Sequence, residues 1–464
     1  MDCLLQVDVG HLCNAAGEVD LLSEKDCESL GQTYGAVFRS FQQTSQNAQS
    51  PLALSLQGNT IIPQIKALAQ QLKASYDTIL LLGIGGSALG ARAAHQFING
   101  PFYHLEQKQK PRFFVLDNLD PLLVAKLEQV LDMKKTALIY TSKSGSTPET
   151  AAQFVYFYRK YMEDGGNQKD ITIICDPGDN GINAIARELG CHLLHIPKDL
   201  PGRYSVLSAV GFLPGELVGI DSQEMLTGAQ TIQQAILEQP LAKNALFLLG
   251  TCLYQLSQKG KTMHVLFNYS NFLYEFGLWF VQLWAESLGK KTTLDGTIAY
   301  AGTTPLTSLG ATDQHSILQL FKEGPRDKVI GFVTMHEFPA DPILPGEFPN
   351  KKEYAYFAGK TMAKQLHIEQ MATEMTLVGA GVPCYRLVLK DFSAKTLGAL
   401  FYFYEALVVY TAALWHINPY NQPGVEEGKH MTYALMGRED YLEKQSAYEE
   451  AVKQFDTQRK ILGL

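Results

Sequence analysis

The chain has 464 residues, of which 46% are hydrophobic and 19% charged, with a formal net charge of −8. That length carries about two to three domains. The acidic balance argues against nucleic acid or an anionic membrane surface as the main partner, while leaving room for a locally basic pocket that takes a small anion. The seven cysteines are scattered, odd in number and without a Cys-x-x-Cys pair, which fits a reducing, cytoplasmic setting. The start, "MDCLLQVDVG", lacks the basic opening and long apolar run of a secretory signal.

Residues 1–45 read as a helical arm. From about residue 77 the pattern alternates. "TILLLGI" reads as a buried strand and is followed by a helix from about Ala88. "RFFVLDN" is a second strand, after which Asp120 and Pro121 supply an N-cap and a proline at the first helical position. "TALIYTS", "ITIICD" and "CHLLHI" continue the series. Short apolar strands alternating with helices imply a parallel sheet covered on both faces. The stretch from about Val206 to Lys259 is mostly helical. "MHVLFNY", "KVIGFVTM" and "YRLVLKD" then mark a second alternating region, and "EFPADPILPGEFPN" a proline-rich loop. The apolar run Leu397 to Ile417 is long enough to cross a bilayer. Glu405 at its middle and the absence of a basic flank favour a helix buried in a large core. Residues 438–464 read as a second helical arm. The expected architecture is therefore α/β, with two αβα sandwich domains of mainly parallel strands, over 46–215 and 216–437, between helical arms.

Two loops stand at strand ends. "LLGIGGSALG" satisfies the G-x-G-x-x-G/A pattern through Gly83, Gly85 and Ala88, yet lacks the acidic residue expected about twenty positions on. It suits either a nicotinamide dinucleotide, a tight turn, or backbone N–H groups brought to an anion or a sugar, with Ser87 adding a hydroxyl. "TSKSGSTPET" places Thr147 as N-cap and Pro148 at the first helical position. The N–H groups of that turn are partly positive, and Ser142, Ser144 and Thr147 can donate hydroxyl hydrogens. Such a loop suits a terminal phosphate without a metal; otherwise it is a hydroxyl-rich capping turn. Four further segments carry reactive side chains. Glu286 lies near the end of an aromatic-rich helix, where a half-buried carboxylate suits a general base. His315 stands in "GATDQHSILQL" at an apparent helix start. "PGRYSVLS" places Arg203 at the start of a helix. "INPYNQPGVEEGKH" ends the apolar helix and delivers Gln422 and Lys429. No metal constellation is convincing, since an alternating strand puts Cys191, His192 and His195 on both faces.

Taken together, "GIGGSALG", "TSKSGSTPET", "GRYSVLSAVG", "WFVQLWAESLGK", "GATDQHSILQL" and "INPYNQPGVEEGK" resemble, in order, the hallmark segments of the glucose-6-phosphate isomerase (phosphoglucose isomerase) family, in its compact bacterial branch. The resemblance implies sugar-isomerase (SIS-type) sandwich domains, a homodimer, no cofactor and no metal, and exchange of glucose 6-phosphate with fructose 6-phosphate. It implies that Ser142, Lys143, Ser144 and Thr147 hold the phosphate and that Gly86, Ser87 and Gln422 line the sugar. It makes Glu286 the base and Arg203 the stabiliser of the intermediate. His315, from the neighbouring subunit, and Lys429 assist ring opening. Asn421 departs from the aspartate common in the family. A nicotinamide-dependent dehydrogenase and a non-catalytic sugar-phosphate sensor are the competing classes; neither uses Glu286, Arg203 and Lys429 together.

Overall fold

The computed structural model describes residues 3–14, 22–106 and 111–463. In chain order its strands are β1 (Leu5–Asp8), β2 (Cys13–Asn14), β3 (Leu22–Ser23), β4 (Thr78–Leu82), β5 (Arg112–Leu116), β6 (Thr136–Thr141), β7 (Thr172–Cys175), β8 (His192–His195), β9 (Met263–Asn268), β10 (Lys290–Thr292), β11 (Ile298–Ala301), β12 (Thr304–Leu309), β13 (Lys328–Met335) and β14 (Cys384–Leu389). Ten of them form two five-stranded sheets, in the orders β5-β4-β6-β7-β8 and β1-β14-β13-β9-β12, while β2 pairs with β3 and β10 with β11. All pairings in the first sheet are parallel. In the second, only β1 runs antiparallel, along β14.

Every residue of β4 and β6 is buried, as a parallel sheet covered on both faces requires. Alternate side chains serve different cores. Ile79 and Leu81 join the large core that also takes Leu266 of β9 and Val333 of β13, so one apolar layer runs between the two sheets. Leu80, Leu82, Leu138 and Tyr140 pack beneath the outer helices of the first sheet. Val265, Phe267, Ile330 and Phe332 do the same for the second. This is the period of two expressed in packing.

The helices that follow β5 and β7 each have a side-chain start signal. Asp120 accepts from the N–H groups of Leu122 and Leu123 ahead of the helix Pro121–Val130. Asn180 accepts from Asn183 N ahead of Gly181–Leu189. The helix Ala394–Leu414 is buried almost throughout, as its all-round apolar sequence requires. It packs against Ser222–Glu238 and Ala245–Gln258, and is a core helix. Burial pushes the Glu405 carboxyl at its centre well above the usual range.

The arms are helical over Glu24–Ser45 and Leu442–Thr457. Phe38 and Phe41 of the first pack on Tyr410 of the core helix. Ahead of that arm's helix, β1 adds an edge strand to the second sheet. Three local expectations change. Arg203 lies in a single 3-10 turn, Gly202–Tyr204, and the α-helix that follows begins only at Ala209. His315 closes another 3-10 turn, Thr312–His315, with its α-helix starting at Leu318. Lys429, in a segment whose prolines and glycines read as turn-rich, sits on a helix, Glu426–Leu435.

In both sheets the first parallel strand has its two successors on opposite sides, so the chain reverses direction of build between β4 and β6 and between β9 and β13. In open α/β sheets such a switch leaves a crevice outside the carboxyl ends of the strands, where ligands bind. In the first sheet Leu82 is level with both Leu116 and Tyr140. The two loops singled out in the sequence, after β4 and after β6, therefore emerge side by side at that crevice.

Candidate active site

The hydroxyl-rich loop is held open by glycine. Gly145 has φ of 71°, and a Cβ there would lie 2.2 Å from Ile182 Cγ2. Tyr140 Oη donates to Gly145 O at 3.1 Å from below. Ser142, buried, donates from Oγ to Thr147 Oγ1 at 3.1 Å. Ser144 is exposed, and its Oγ accepts from Ser146 N at 3.3 Å. Thr147 is the N-cap and Pro148 opens the helix Pro148–Glu163, but no side chain caps it. The first-turn N–H groups thus remain available to an anion. Lys143 adds a cation, 3.7 Å from Asp176. Burial pushes the Asp176 carboxyl up to about 6, with Lys143 pulling the other way. A hydroxyl cluster, an uncapped helix start and one lysine can hold a dianion by charge-assisted hydrogen bonds.

The β4 loop joins this anion site to the reactive groups. At Gly86 the backbone touches that of the Arg203 turn: a Cβ would come within 2.3 Å of Gly202 C and 2.6 Å of Arg203 N. At Gly85 the neighbour is Gln282, whose Nε2 would be 2.9 Å from a Cβ. These glycines are used for close approach within the protein. Ser87 is half-buried at the loop's end, in the 3-10 turn Gly85–Ser87.

Arg203 is only 3% exposed and its guanidinium is tied down on nearly every side. Nε donates to Ser287 Oγ at 2.7 Å, Nη1 to Gln422 Oε1 at 3.0 Å, and Nη2 to Pro419 O at 2.5 Å and Asn421 O at 3.2 Å. Its charge is left facing Glu286, with Nη1 3.5 Å from Oε2. A planar fork with several donors matches this set of acceptors; a lysine could not. Because Asn421 contributes its carbonyl, its departure from aspartate leaves this contact intact. Glu286 itself is in the last turn of the helix Tyr274–Leu288, with its side chain 25% exposed. A partly exposed carboxylate beside a fixed guanidinium can accept a proton from a bound carbon acid while the cation stabilises the resulting oxyanion.

The structure thus brings Gly86, Arg203, Glu286 and Gln422 into direct contact or one contact apart. Ser142, Lys143, Ser144 and Thr147 form the neighbouring loop. The helix that carries Lys429 reaches that loop's rim: Tyr433, one turn on from Lys429, donates to Ser146 O at 3.1 Å. Its Nζ pairs with Glu426 at 3.0 Å and not with Glu286. His315 stands apart, exposed beyond the end of β12, and no hydrogen bond among the described residues joins it to Arg203 or Glu286.

Three further residues belong to the site and escape a reading of the sequence. Gln282 donates to Glu286 Oε2 at 3.3 Å, and its own Oε1 is buried without a partner. Its position four before Glu286 on one helix is the available signal. Ser287 accepts from both Arg203 and Tyr204. Tyr204 lies under the guanidinium, which is 5.5 Å from its ring centre. No spacing rule links Ser287 to a turn some eighty residues away. Among the described residues no group of histidines, cysteines or carboxylates is arranged to hold a metal.

Comparison with known proteins gives a consistent result. The family model described as phosphoglucose isomerase matches residues 64–457. A protein named glucose-6-phosphate isomerase from Carboxydothermus hydrogenoformans is 32% identical over 446 residues, covering 95% of this chain and 96% of that one. Another of that name from Rubrobacter xylanophilus is 38% identical over 366 residues, covering 78% and 82%. Among solved structures, a Thermus thermophilus protein described as hypothetical superposes with a TM-score of 0.81 at 29% identity, over 93% of this chain and all of that one. A glucose-6-phosphate isomerase from Chlamydia trachomatis shares the fold, with a TM-score of 0.78 at 21% identity over 94% and 90%. With the family model spanning most of its length and relatives above 30% identity over 78% and 95% of it, the chain belongs to the phosphoglucose isomerase family.

Proposed function

We propose that this enzyme interconverts D-glucose 6-phosphate and D-fructose 6-phosphate, as the names of its relatives suggest, and works in glycolysis and gluconeogenesis. The observation that carries the reading is the pairing of a partly exposed carboxylate, Glu286, with a buried and immobilised guanidinium, Arg203, beside an uncapped hydroxyl-rich helix start. The phosphate sits on Ser142, Lys143, Ser144 and Thr147. It does not react; its binding orients the reacting carbons. Gly86, Ser87 and Gln422 line the sugar.

His315 and Lys429 assist opening of the ring, which exposes the C1 aldehyde. Glu286 then removes the proton from C2. Electrons move to O1, which is protonated, giving a cis-enediol(ate) stabilised by Arg203. As O2 loses its proton and becomes the ketone oxygen, Glu286 returns its proton to C1. One carboxylate on one face serves both carbons, and charge stabilisation by a preorganised cation is usually the largest contribution. Triosephosphate isomerase divides the labour in the same way, between a glutamate base and an electrophile. The transfer is internal, so it calls for no cofactor and no metal. The chain acts as a cytoplasmic homodimer, with His315 entering the partner's pocket. Its exposure and its lack of contact with Arg203 support that arrangement. Each protomer divides into sandwich domains at 46–215 and 216–437 between its helical arms.

The test is a coupled assay of purified protein with fructose 6-phosphate, reading glucose 6-phosphate through NADP-dependent oxidation, with chelator and without nucleotide in the first step. Turnover on the order of 1–10³ s⁻¹, the ordinary range for enzymes, is the expected result. No product under those conditions would overturn the reading.

A further inference from the structure

The helix that carries Glu286 ends at Leu288, and only Gly289 separates it from β10, which starts at Lys290. The chain therefore folds straight back and lays the Lys290 side chain across the helix end. Its Nζ donates to Glu286 O at 2.6 Å and to Ser287 O at 2.8 Å. These are two of the four carbonyls that a helix C-terminus leaves without intrahelical partners. Gly289 N takes a third, Ala285 O. No basic residue lies within the last turn itself, so Lys290 is the cation that meets the negative end of this helix.

We propose that Lys290 is a positioning residue for the isomerisation: its ammonium clamps the final helical turn and so fixes both Glu286 and the Ser287 hydroxyl on which Arg203 is anchored. One side chain then sets the relative placement of base and cation. A drift of the last turn would move Glu286 and release the Arg203 Nε contact together, and misplacement on the order of 1 Å can cost about 10²-fold in rate. The proposal rests on the reaction proposed above.

Lys290 is 7% exposed. The charged groups facing it are Arg203, from the Gly202–Tyr204 turn, and Glu286, from the helix it caps; across the hairpin it is paired with Ala301. Burial lowers its ammonium to about 8, with Arg203 adding to the fall and Glu286 opposing it. The clamp is therefore charged at neutral pH and weakens as pH rises through about 8, because a neutral amine makes weaker hydrogen bonds to carbonyls than an ammonium does. This should appear as an alkaline limb in kcat.

The experiment compares wild type with Lys290→Met and Lys290→Arg over pH 6–10, measuring kcat, KM and inhibition by a sugar-acid phosphate, with thermal melting as the check on folding. The expected result is a wild-type kcat that falls severalfold above pH 8. Lys290→Met should lose about 10- to 100-fold in kcat at pH 7, with KM and inhibition within about threefold of wild type, and should show no alkaline limb. Lys290→Arg, which stays charged, should recover most of kcat and carry its activity beyond pH 9. A Lys290→Met enzyme within twofold of wild type in kcat, or one alkaline limb common to all three proteins, would overturn the proposal. If neither variant folds, a wild-type kcat that is flat from pH 7 to 9.5 overturns it and one that falls supports it. An inactive wild type would instead refute the proposed reaction, so the two failures are distinguishable.

Discussion

Replacing Arg203 with lysine keeps the charge and removes the fork. In the structure the guanidinium makes four hydrogen bonds, to Ser287 Oγ, Gln422 Oε1, Pro419 O and Asn421 O, and still faces Glu286 at 3.5 Å. An ammonium on a shorter stem can satisfy one or two of those acceptors. Each charge-assisted bond lost is worth roughly 1.5–3 kcal/mol, much of it because buried acceptors are left without partners. If the fixed cation stabilises the enediolate, its misplacement should cost about as much as losing one oxyanion donor, 10²–10³-fold in kcat, or ~2.7–4 kcal/mol. Among the described residues no hydrogen bond or ion pair joins Arg203 to the proposed phosphate loop, so KM should change by no more than about threefold. Steady-state kinetics in the coupled assay read both constants, and a thermal melt checks that the variant is folded. A folded Arg203→Lys enzyme with kcat within tenfold of wild type would refute the claim that fork geometry, and not charge alone, supports the intermediate.

Two other outcomes follow from the same site. Ser144→Ala and Thr147→Ala should each raise KM and the inhibition constant of a sugar-acid phosphate together, by about 10- to 100-fold, if each hydroxyl bonds the phosphate at ~1.5–3 kcal/mol; unchanged inhibition in both would reduce the loop to a helix start. Glu286→Gln and His315→Ala homodimers should each be nearly inactive, yet refolding them together in equal amounts should restore about a quarter of wild-type activity, because half of the dimers are mixed and each mixed dimer has one sound pocket under two-fold symmetry. No recovery from a verified mixed dimer would place both residues in one chain's pocket.

Sequence legibility follows how local the determining physics is. β4 and β6 are plain as short, mostly apolar runs, and Asp120-Pro121 and Thr147-Pro148 as helix starts, because each signal lies within a few residues. β12, "TPLTSL", escapes notice: it carries Pro305 and hydroxyls, which an edge strand tolerates and a central one does not. β1 escapes because its strand character comes from pairing with β14, far along the chain. In the site, Glu286, Arg203 and Gln422 are marked by their motifs, but their geometry is not. The Arg203 clamp uses two backbone carbonyls, Pro419 O and Asn421 O, and a serine hydroxyl, none of which has a sequence signature. Conversely, Lys429 and His315 are marked as strongly as Glu286, yet no hydrogen bond or ion pair joins either to it among the described residues.

The central claim, that Glu286 carries the proton between C2 and C1, is tested most directly by solvent exchange. Fructose 6-phosphate and glucose 6-phosphate are equilibrated with enzyme in tritiated water, and label at C1 and C2 is counted for wild type and for Glu286→Gln. The substitution preserves shape and removes the proton acceptor, so sugar-phosphate binding should stay nearly intact. Label incorporation and kcat should fall together by about 10²–10⁴-fold, the usual worth of a general base. A Glu286→Gln enzyme that binds its substrate and still exchanges at more than about a tenth of the wild-type rate would contradict the account.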